Sequence, residues 1–208
     1  GIGISIQRPR LEWSMDGLDC IKIHHVSALF AGGNVSASDI DLSTDTATHI
    51  QIDVSGVSAT ELSGLAKVKG LHAEGTLSGT LPFTWTPGVG LSVADATLTA
   101  DGPGKVRYLA GPRDKALRES GEQVGLMLDA LSDFRFKTLG LKFDGRPGDG
   151  YRIALALEGA NPDLYDGYPV RFNLNLSGQL DDVIKTGYRT YTLPTRVRDA
   201  VLRGGENE

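Results

Sequence analysis

The chain has 208 residues, a formal net charge of −5 and 40% hydrophobic residues, which suits one elongated domain or two small ones with a buried core. The mild acidity and the scattered Lys and Arg argue against nucleic-acid binding, which needs clustered basic side chains. No run approaches the ~20 apolar residues of a membrane-spanning helix. Because Cys20 is the single cysteine, an intramolecular disulfide is excluded.

Strands dominate the predicted secondary structure. Apolar and polar residues alternate with period two in segments such as 50–55, 152–158 and 170–177, which indicates strands with one apolar and one polar face. Turn signals rich in Gly, Pro, Asn and Asp separate these segments and favour antiparallel hairpins. We predict strands near residues 3–14, 19–30, 34–43, 48–56, 70–84, 89–100, 104–109, 134–144, 150–159, 168–178 and 187–193.

Two or three helices interrupt the strand pattern. Pro112 opens the clearest one, at about 113–133, whose apolar side chains fall on one stripe. We expect this helix to cap or plug one side of the sheet. Short helices are expected at 59–67 and at 195–203, the second with Thr195 as its N-cap.

No set of side chains predicts catalysis or metal binding. His24 and His25 are neighbours on a predicted strand, so we expect their side chains on opposite faces, where they cannot share a metal. Asp39, Asp41 and Asp45 lack the glycine and the terminal glutamate of a calcium loop. Phosphate-loop and nucleophile-elbow motifs are also missing from the sequence. We therefore predict a protein that is not an enzyme and has no cofactor or metal site.

The apolar sides of the strands allow two interpretations. They pack as the closed core of a β-sandwich that serves as a binding or adhesion module, or they line an open groove. The residue pattern by itself favours the closed core, and a secreted hydrolase acting through carboxylates has the least support. The side chains concerned are Ile50, Ile52, Val54, Phe134, Phe136, Leu139, Leu141, Phe143, Ile153, Leu155, Leu157, Val170, Phe172, Leu174 and Leu176.

An ordered set of short runs resembles the C-terminal domain of the YdbH family, relatives of TamB and the AsmA-like proteins of Gram-negative bacteria. The runs are EGTLSGTLPF at 74–83, GLSVADATLTA at 90–100, GPGKVRY at 102–108, LDALSDFRF at 128–136, GANPD at 159–163, GYPV at 167–170 and NLNLSG at 173–178. Residues 70–180 carry the resemblance, whereas residues 1–69 share only the strand pattern.

The resemblance implies a mainly β fold: a long, antiparallel, strongly curved open sheet that forms a half-pipe, or β-taco groove, with one to three short helices. It implies a single elongated domain over residues 1–208, taken from the C-terminal part of a longer protein. Residues 70–193 form the family-like part of that domain, and residues 194–208 form a helix and a frayed tail. A segment absent from this chain would anchor the full-length protein in the inner membrane.

The resemblance also implies a function, which is phospholipid transport across the periplasm towards the outer membrane. The apolar side chains named above would then line a groove that shields acyl chains. Exposing a ~16-carbon chain to water costs on the order of 13 kcal/mol, so a continuous apolar lining would remove most of that barrier.

A small outer-membrane lipoprotein, YnbE, is the partner that the resemblance implies for the C-terminal end. Tyr188, Thr190 and Thr192 lie on the predicted last strand, whose edge a partner strand can extend. The helix predicted at 195–203 could cover that edge instead, and the sequence leaves both possibilities open.

Overall fold

The computed structural model describes residues 7–16, 20–43, 45–65, 69–109, 111 and 121–178. Within these ranges, all strands belong to one 11-stranded antiparallel sheet, accompanied by two short α-helices. This mainly β, open and curved sheet confirms the predicted fold class. The strands are β1 (Gln7–Asp16), β2 (Cys20–Phe30), β3 (Gly33–Ser43), β4 (Thr48–Ser58), β5 (Leu71–Glu74), β6 (Thr76–Thr86), β7 (Gly90–Ala100), β8 (Gly104–Tyr108), β9 (Phe134–Arg146), β10 (Gly150–Ala160) and β11 (Val170–Gly178), and the helices are α1 (Ala59–Leu65) and α2 (Glu122–Ala130).

The main path across the sheet follows the order β1-β2-β3-β4-β6-β7-β9-β10-β11. β5 and β8 lie off this path, since β5 pairs with β8 and β8 pairs with the beginning of β9. Together they prolong the β6–β7 hairpin, because only Gly75 separates β5 from β6 and only residues 101–103 separate β7 from β8.

The strands agree closely with those predicted from turn signals and alternation. The strand expected at 70–84 is divided at Gly75, where φ is +125°, a conformation that favours glycine. The Phe136 ring lies 3.4 Å from the point where a Cβ on Gly75 would stand. The strand at 187–193 and the helix at 195–203 fall outside the described residues.

Two of the predicted helices are described in part. α1 begins at Ala59 as expected, and residues 66–68 lie outside the described part of the chain. α2, followed by a 3₁₀ turn at Leu131–Asp133, forms the second half of the helix expected at 113–133. Leu131 is buried together with Phe134 and Phe136, and Met127 packs against the same cluster, so these two residues of the predicted apolar stripe contact the sheet.

One face of the sheet is apolar and the other is polar, and the strand register keeps them separate. We call the apolar side the inner face; one row of paired residues across it is Ala28, Val35, Val54, Gly79, Leu98, Leu141, Leu155 and Leu174. The opposite side is the outer face, on which the adjacent row is Arg10, Ser27, Ser36, Asp53, Thr80, Thr97, Lys142, Ala154 and Asn175. The alternation seen in the sequence therefore becomes a two-sided sheet.

The prediction that His24 and His25 point to opposite faces is wrong. The register of β1 and β2 shifts directly after Glu12, so β2 holds an extra residue, as in a β-bulge. His24 Nε2 lies 2.8 Å from Ser14 Oγ and His25 Nδ1 lies 3.0 Å from Ser38 Oγ. Both serines flank inner-face positions of the neighbouring strands, so both rings lie on the outer face. Among the described residues, no three His, Cys, Asp or Glu side chains are grouped as metal ligands.

A buried asparagine fastens the end of α2 to the sheet. Asn161 directly follows β10 and is 3% exposed. Its Nδ2 donates to the carbonyl oxygens of Asp129 and Ala130 at 3.0 and 3.2 Å, and its Oδ1 accepts the Asp163 N–H at 2.9 Å. The last carbonyls of a helix lack intrahelical donors, and Asn161 supplies a donor here.

We predict that Asn161→Ala lowers the free energy of unfolding by about 2–3 kcal/mol, because it leaves buried backbone groups without partners. Urea unfolding of the purified chain should show a lower midpoint with an unchanged slope. The control is Asn173→Ala on the exposed outer face of β11, which should change stability by no more than about 0.5 kcal/mol. Equal effects of the two substitutions would contradict this role for Asn161.

Candidate functional site

The inner face is tightly packed at the end of the sheet that α1 and α2 adjoin. Phe134, Phe136, Leu157 and Val57 are at most 1% exposed, and Leu77 is also buried. We call these five residues the closed end. They come from β4, β6, β9 and β10, so their contacts join distant parts of one sheet into a core.

The helices and an aromatic pair complete the packing of the closed end. Leu62 of α1 and Met127 of α2 pack against its buried residues. The rings of Phe134 and Phe172 meet edge to face with centroids 5.3 Å apart, an arrangement favoured by the ring quadrupoles. The closed end therefore has the character of an ordinary protein core.

Charged groups fasten the turn after α2 to the rest of the closed end. Lys105 Nζ of β8 forms an ion pair with one carboxylate oxygen of Asp133, and Arg135 lies 3.7 Å from the other. The hydrogen bond from Lys105 holds the pKa of Asp133 below its usual value. The carboxylate therefore stays ionised at neutral pH, and the ion pair links the 3₁₀ turn to β8.

The opposite end of the inner face, towards the turns at 87–89 and 147–149, exposes large apolar side chains. Met15 is 57% exposed, Trp13 54%, Ile21 41% and Trp85 37%. We call these four residues the open end. Because Trp13 pairs with Ile23 and Met15 pairs with Ile21, the residues of β1 and β2 form adjacent apolar rows, whereas Trp85 lies on β6. Contiguous exposed apolar patches of this kind mark interaction sites.

A second, smaller core occupies the β7, β9 and β10 part of the inner face. Val93, Ala96 and Tyr151 are buried there. The Tyr151 ring stacks on Phe143 with centroids 5.7 Å apart, and its hydroxyl donates to the Leu91 carbonyl oxygen at 2.7 Å. The accessible apolar surface therefore lies mainly along β1 to β4 and across the middle of the sheet.

The residues predicted to line a groove separate into two groups by burial. The buried ones are Val54, Phe134, Phe136, Leu139 and Leu157, and the partly exposed ones are Ile50, Ile52, Leu141, Phe143, Ile153, Leu155, Val170, Phe172 and Leu174. The structure brings both groups together on the inner face. The side chain of Leu176 is not among those described, and Tyr188, Thr190 and Thr192 lie outside the described residues. Contact with lipid stays a prediction for all of them.

Sequence reasoning missed part of the accessible inner face. Trp13, Met15 and Ile21 were not predicted as site residues, nor were Leu81 and Phe83, which pair with Ile52 and Ile50 of β4. The signal was present in the sequence, because apolar residues alternate with polar ones over residues 11–16.

The fold and the site together define an open, curved β-sheet protein with an apolar inner face. Comparison with protein families matches residues 3–201 to the YdbH-like family, whose description is "Intermembrane phospholipid transport protein YdbH". Since nearly the whole chain is matched, the chain belongs to the YdbH-like family. The match confirms the resemblance and extends it through residues 3–69. Comparison with curated proteins gives no match, and comparison with solved structures gives none.

Membership of this family identifies a phospholipid transport protein. Transport between two membranes places its activity in the cell envelope. In the described part of the chain, no helix is both long and apolar enough to cross a membrane.

We predict that two leucines on one strand and one face differ sharply in their contribution to stability. Leu157→Ala should lower the free energy of unfolding by about 2–5 kcal/mol, since it opens a cavity in the closed end. Leu155→Ala, two residues away and partly exposed, should cost less than half as much. Urea unfolding measures both variants, and equal losses would show that the inner face is one uniform closed core.

Proposed function

We propose that the inner face shields phospholipid acyl chains from water during transport across the periplasm. The observation that carries this proposal is the in-register apolar row across the sheet, in which Leu141, Leu155 and Leu174 are only partly buried. Partly exposed leucines on neighbouring strands form a surface that hydrocarbon can cover. The family's function in phospholipid transport supports hydrocarbon as the occupant.

The energetics favour such a surface. Each CH₂ group transferred from water to an apolar environment gains about 0.8 kcal/mol. A strand rises about 3.3 Å per residue, so a few residue pairs of the inner face run alongside a substantial length of acyl chain. The headgroup stays in water, because the sheet is open and its outer face is polar.

A closed β-sandwich is the main alternative, and the packed core of the closed end resembles one locally. A sandwich, however, is built from two sheets packed face to face. All described strands belong to a single sheet, and large inner-face side chains remain exposed at the open end. These observations favour a groove over a sandwich module.

We predict that Leu155→Asp lowers the amount of phospholipid that co-purifies with the protein by at least about tenfold, because it places a charge where hydrocarbon would lie. The control is Ala156→Asp, which puts the same charge on the exposed outer face one residue away. Mass spectrometry of lipids extracted from the purified variants provides the measurement.

Stability must be compared in the same variants, because a charge in a packed core would also unfold the protein. Thermal unfolding of Leu155→Asp should stay within a few degrees of Ala156→Asp. Equal lipid content in the two variants, or a protein that carries no phospholipid at all, would contradict the acyl-chain groove.

We further propose that the C-terminal end docks with a small outer-membrane lipoprotein of the YnbE type by strand addition. We also infer that a segment outside this chain anchors the full-length protein in the inner membrane. Two observations support docking at this end: β11 is the last strand of the main path, and among the described residues it pairs only with β10. The chain then continues towards Tyr188, Thr190 and Thr192, where β-prone residues suit an edge strand.

We predict that Thr190→Pro weakens lipoprotein binding by at least about tenfold, since proline removes a backbone donor from the edge strand that the lipoprotein would extend. Thr190→Val keeps the backbone N–H and the β-branched shape, so it should bind as the unmodified protein does. A binding titration with the purified lipoprotein measures both variants. Unchanged binding by Thr190→Pro would rule out strand addition at this position, whereas lipid content should be unaffected in either variant.

A further inference from the structure

We propose that a cleft beside the turn at 147–149 binds a phosphate group that also carries a primary amine, which is the chemistry of a phosphatidylethanolamine headgroup. The affinity of the cleft for this group is independent of the proposed function, and only its assignment to a lipid rests on that function. Such a site gives the protein a preference among headgroups that an apolar face cannot supply.

The cleft lies on the outer face, where β7, β9 and β10 reach the turns at 87–89 and 147–149. It has a volume of about 400 Å³, which is within the ~300–1,000 Å³ typical of small-ligand sites. Four charged side chains line it, and none of its described lining residues is aromatic. The charged residues are Asp144, Arg146, Asp149 and Arg152.

A β-bulge in β7 borders the cleft. The register of β7 with β9 shifts between Val93 and Ala96, so two residues of β7 stand opposite Asp144 alone. One of the two, Asp95, has a φ of +56°, and its N–H donates to Asp144 Oδ1 at 2.7 Å. Bulges are frequent next to functional sites, where they redirect a side chain. Here the bulge holds one oxygen of the Asp144 carboxylate and leaves the other oxygen for a ligand.

Two opposite charges in the cleft face each other without forming an ion pair. Asp144 of β9 and Arg152 of β10 are directly paired in the register, a position in which opposite charges usually attract each other. Among the described residues, however, the Arg152 guanidinium has no ion-pair partner. The other pair is complete, because Arg146 Nε donates to Asp149 Oδ2. The cleft therefore offers one unpaired cation and one carboxylate, and it is neutral as a whole.

This charge arrangement selects for a ligand that carries both signs. A guanidinium can donate two parallel hydrogen bonds to a phosphate, which suits Arg152, and an ammonium group suits Asp144. A simple anion would be repelled by the two carboxylates, and a simple amine by the two guanidinium groups. The amine is primary, because quaternary ammonium groups are typically held by aromatic cages, and the described lining has no aromatic residue.

The position of the cleft suits a headgroup whose acyl chains cover the inner face. Val93 and Gly145 line the cleft, and they pair with each other in the part of the sheet whose inner face carries the smaller core. The turn at 147–149 joins β9 to β10 and forms part of the rim between the two faces. A phospholipid at this rim keeps its tails on the apolar side and its headgroup in water on the polar side.

A nuclear magnetic resonance titration of the purified chain with glycerophosphoethanolamine tests the cleft without any lipid. We expect saturable shifts confined to amides of residues 92–95 and 144–152. Glycerophosphocholine, glycerophosphoglycerol and inorganic phosphate should each bind at least about fivefold more weakly, because each lacks the primary amine. Equal affinity for all four compounds, or no saturable shift with glycerophosphoethanolamine, would overturn the site.

Variants of the two facing charges give a second measurement. Arg152→Gln and Asp144→Asn should each weaken glycerophosphoethanolamine binding by at least about tenfold, since each removes one charge-assisted contact. Asp144→Asn keeps an oxygen that can accept the Asp95 N–H, so the bulge should persist. The matched control is Arg171→Gln, which removes an exposed outer-face arginine outside the cleft. Circular dichroism checks folding, and equal binding by Arg152→Gln and Arg171→Gln would overturn the role of Arg152.

The headgroup composition of co-purified lipid shows whether the group belongs to a phospholipid. The unmodified protein should carry a higher ratio of phosphatidylethanolamine to phosphatidylglycerol than the membranes from which it was extracted. Arg152→Gln should remove this enrichment without lowering the total amount of phospholipid. Binding of glycerophosphoethanolamine without enrichment would overturn the assignment to a lipid and assign the cleft to water-soluble compounds. A protein that carries no phospholipid would overturn the proposed function, whereas the titration decides on the cleft separately.

Discussion

The register between neighbouring strands is the constraint on which the rest of the structure depends. Side chains alternate with period two, so a one-residue slip in any strand would exchange its apolar and polar sides. The sheet also contains register shifts, and these have to be matched across strands. The extra residue of β2 near His24 lies beside Asp39 of β3, which has a φ of +54°. Because both strands bulge at the same level, Ile23 and Ile40 remain paired on the inner face.

Given this register, the sheet has one apolar face. The helices and the remaining side chains cover that face at one end more completely than at the other. α1, α2 and the aromatic residues of β9 and β11 cover the closed end, whereas nothing in the described part of the chain covers Trp13 and Met15 to the same extent. Buried and exposed apolar side chains are thereby divided between different parts of one surface. The closed end can provide most of the free energy of folding by burying side chains, so the open end can keep apolar residues in water without unfolding the protein.

Much of the fold could be predicted from the sequence, because strands and hairpins depend on local signals. β4 was predicted at 48–56 and spans Thr48–Ser58, whereas the strand predicted at 70–84 is divided at Gly75, where φ is +125°. The site was harder to predict. Leu155 and Leu157 follow the same alternation, yet Leu157 is buried and Leu155 is partly exposed. What covers a residue depends on elements far along the chain, and local periodicity carries no information about them.

An apolar surface without polar groups can bind hydrocarbon strongly but cannot distinguish one acyl chain from another by hydrogen bonding. Selectivity in such a groove therefore has to come from shape, from the headgroup or from the partners at either end. The row that contains Leu98, Leu141 and Leu155 offers only aliphatic carbon, so it should accept saturated and unsaturated chains alike. The packing at Phe134 and Phe136 is the feature of the inner face with a defined shape.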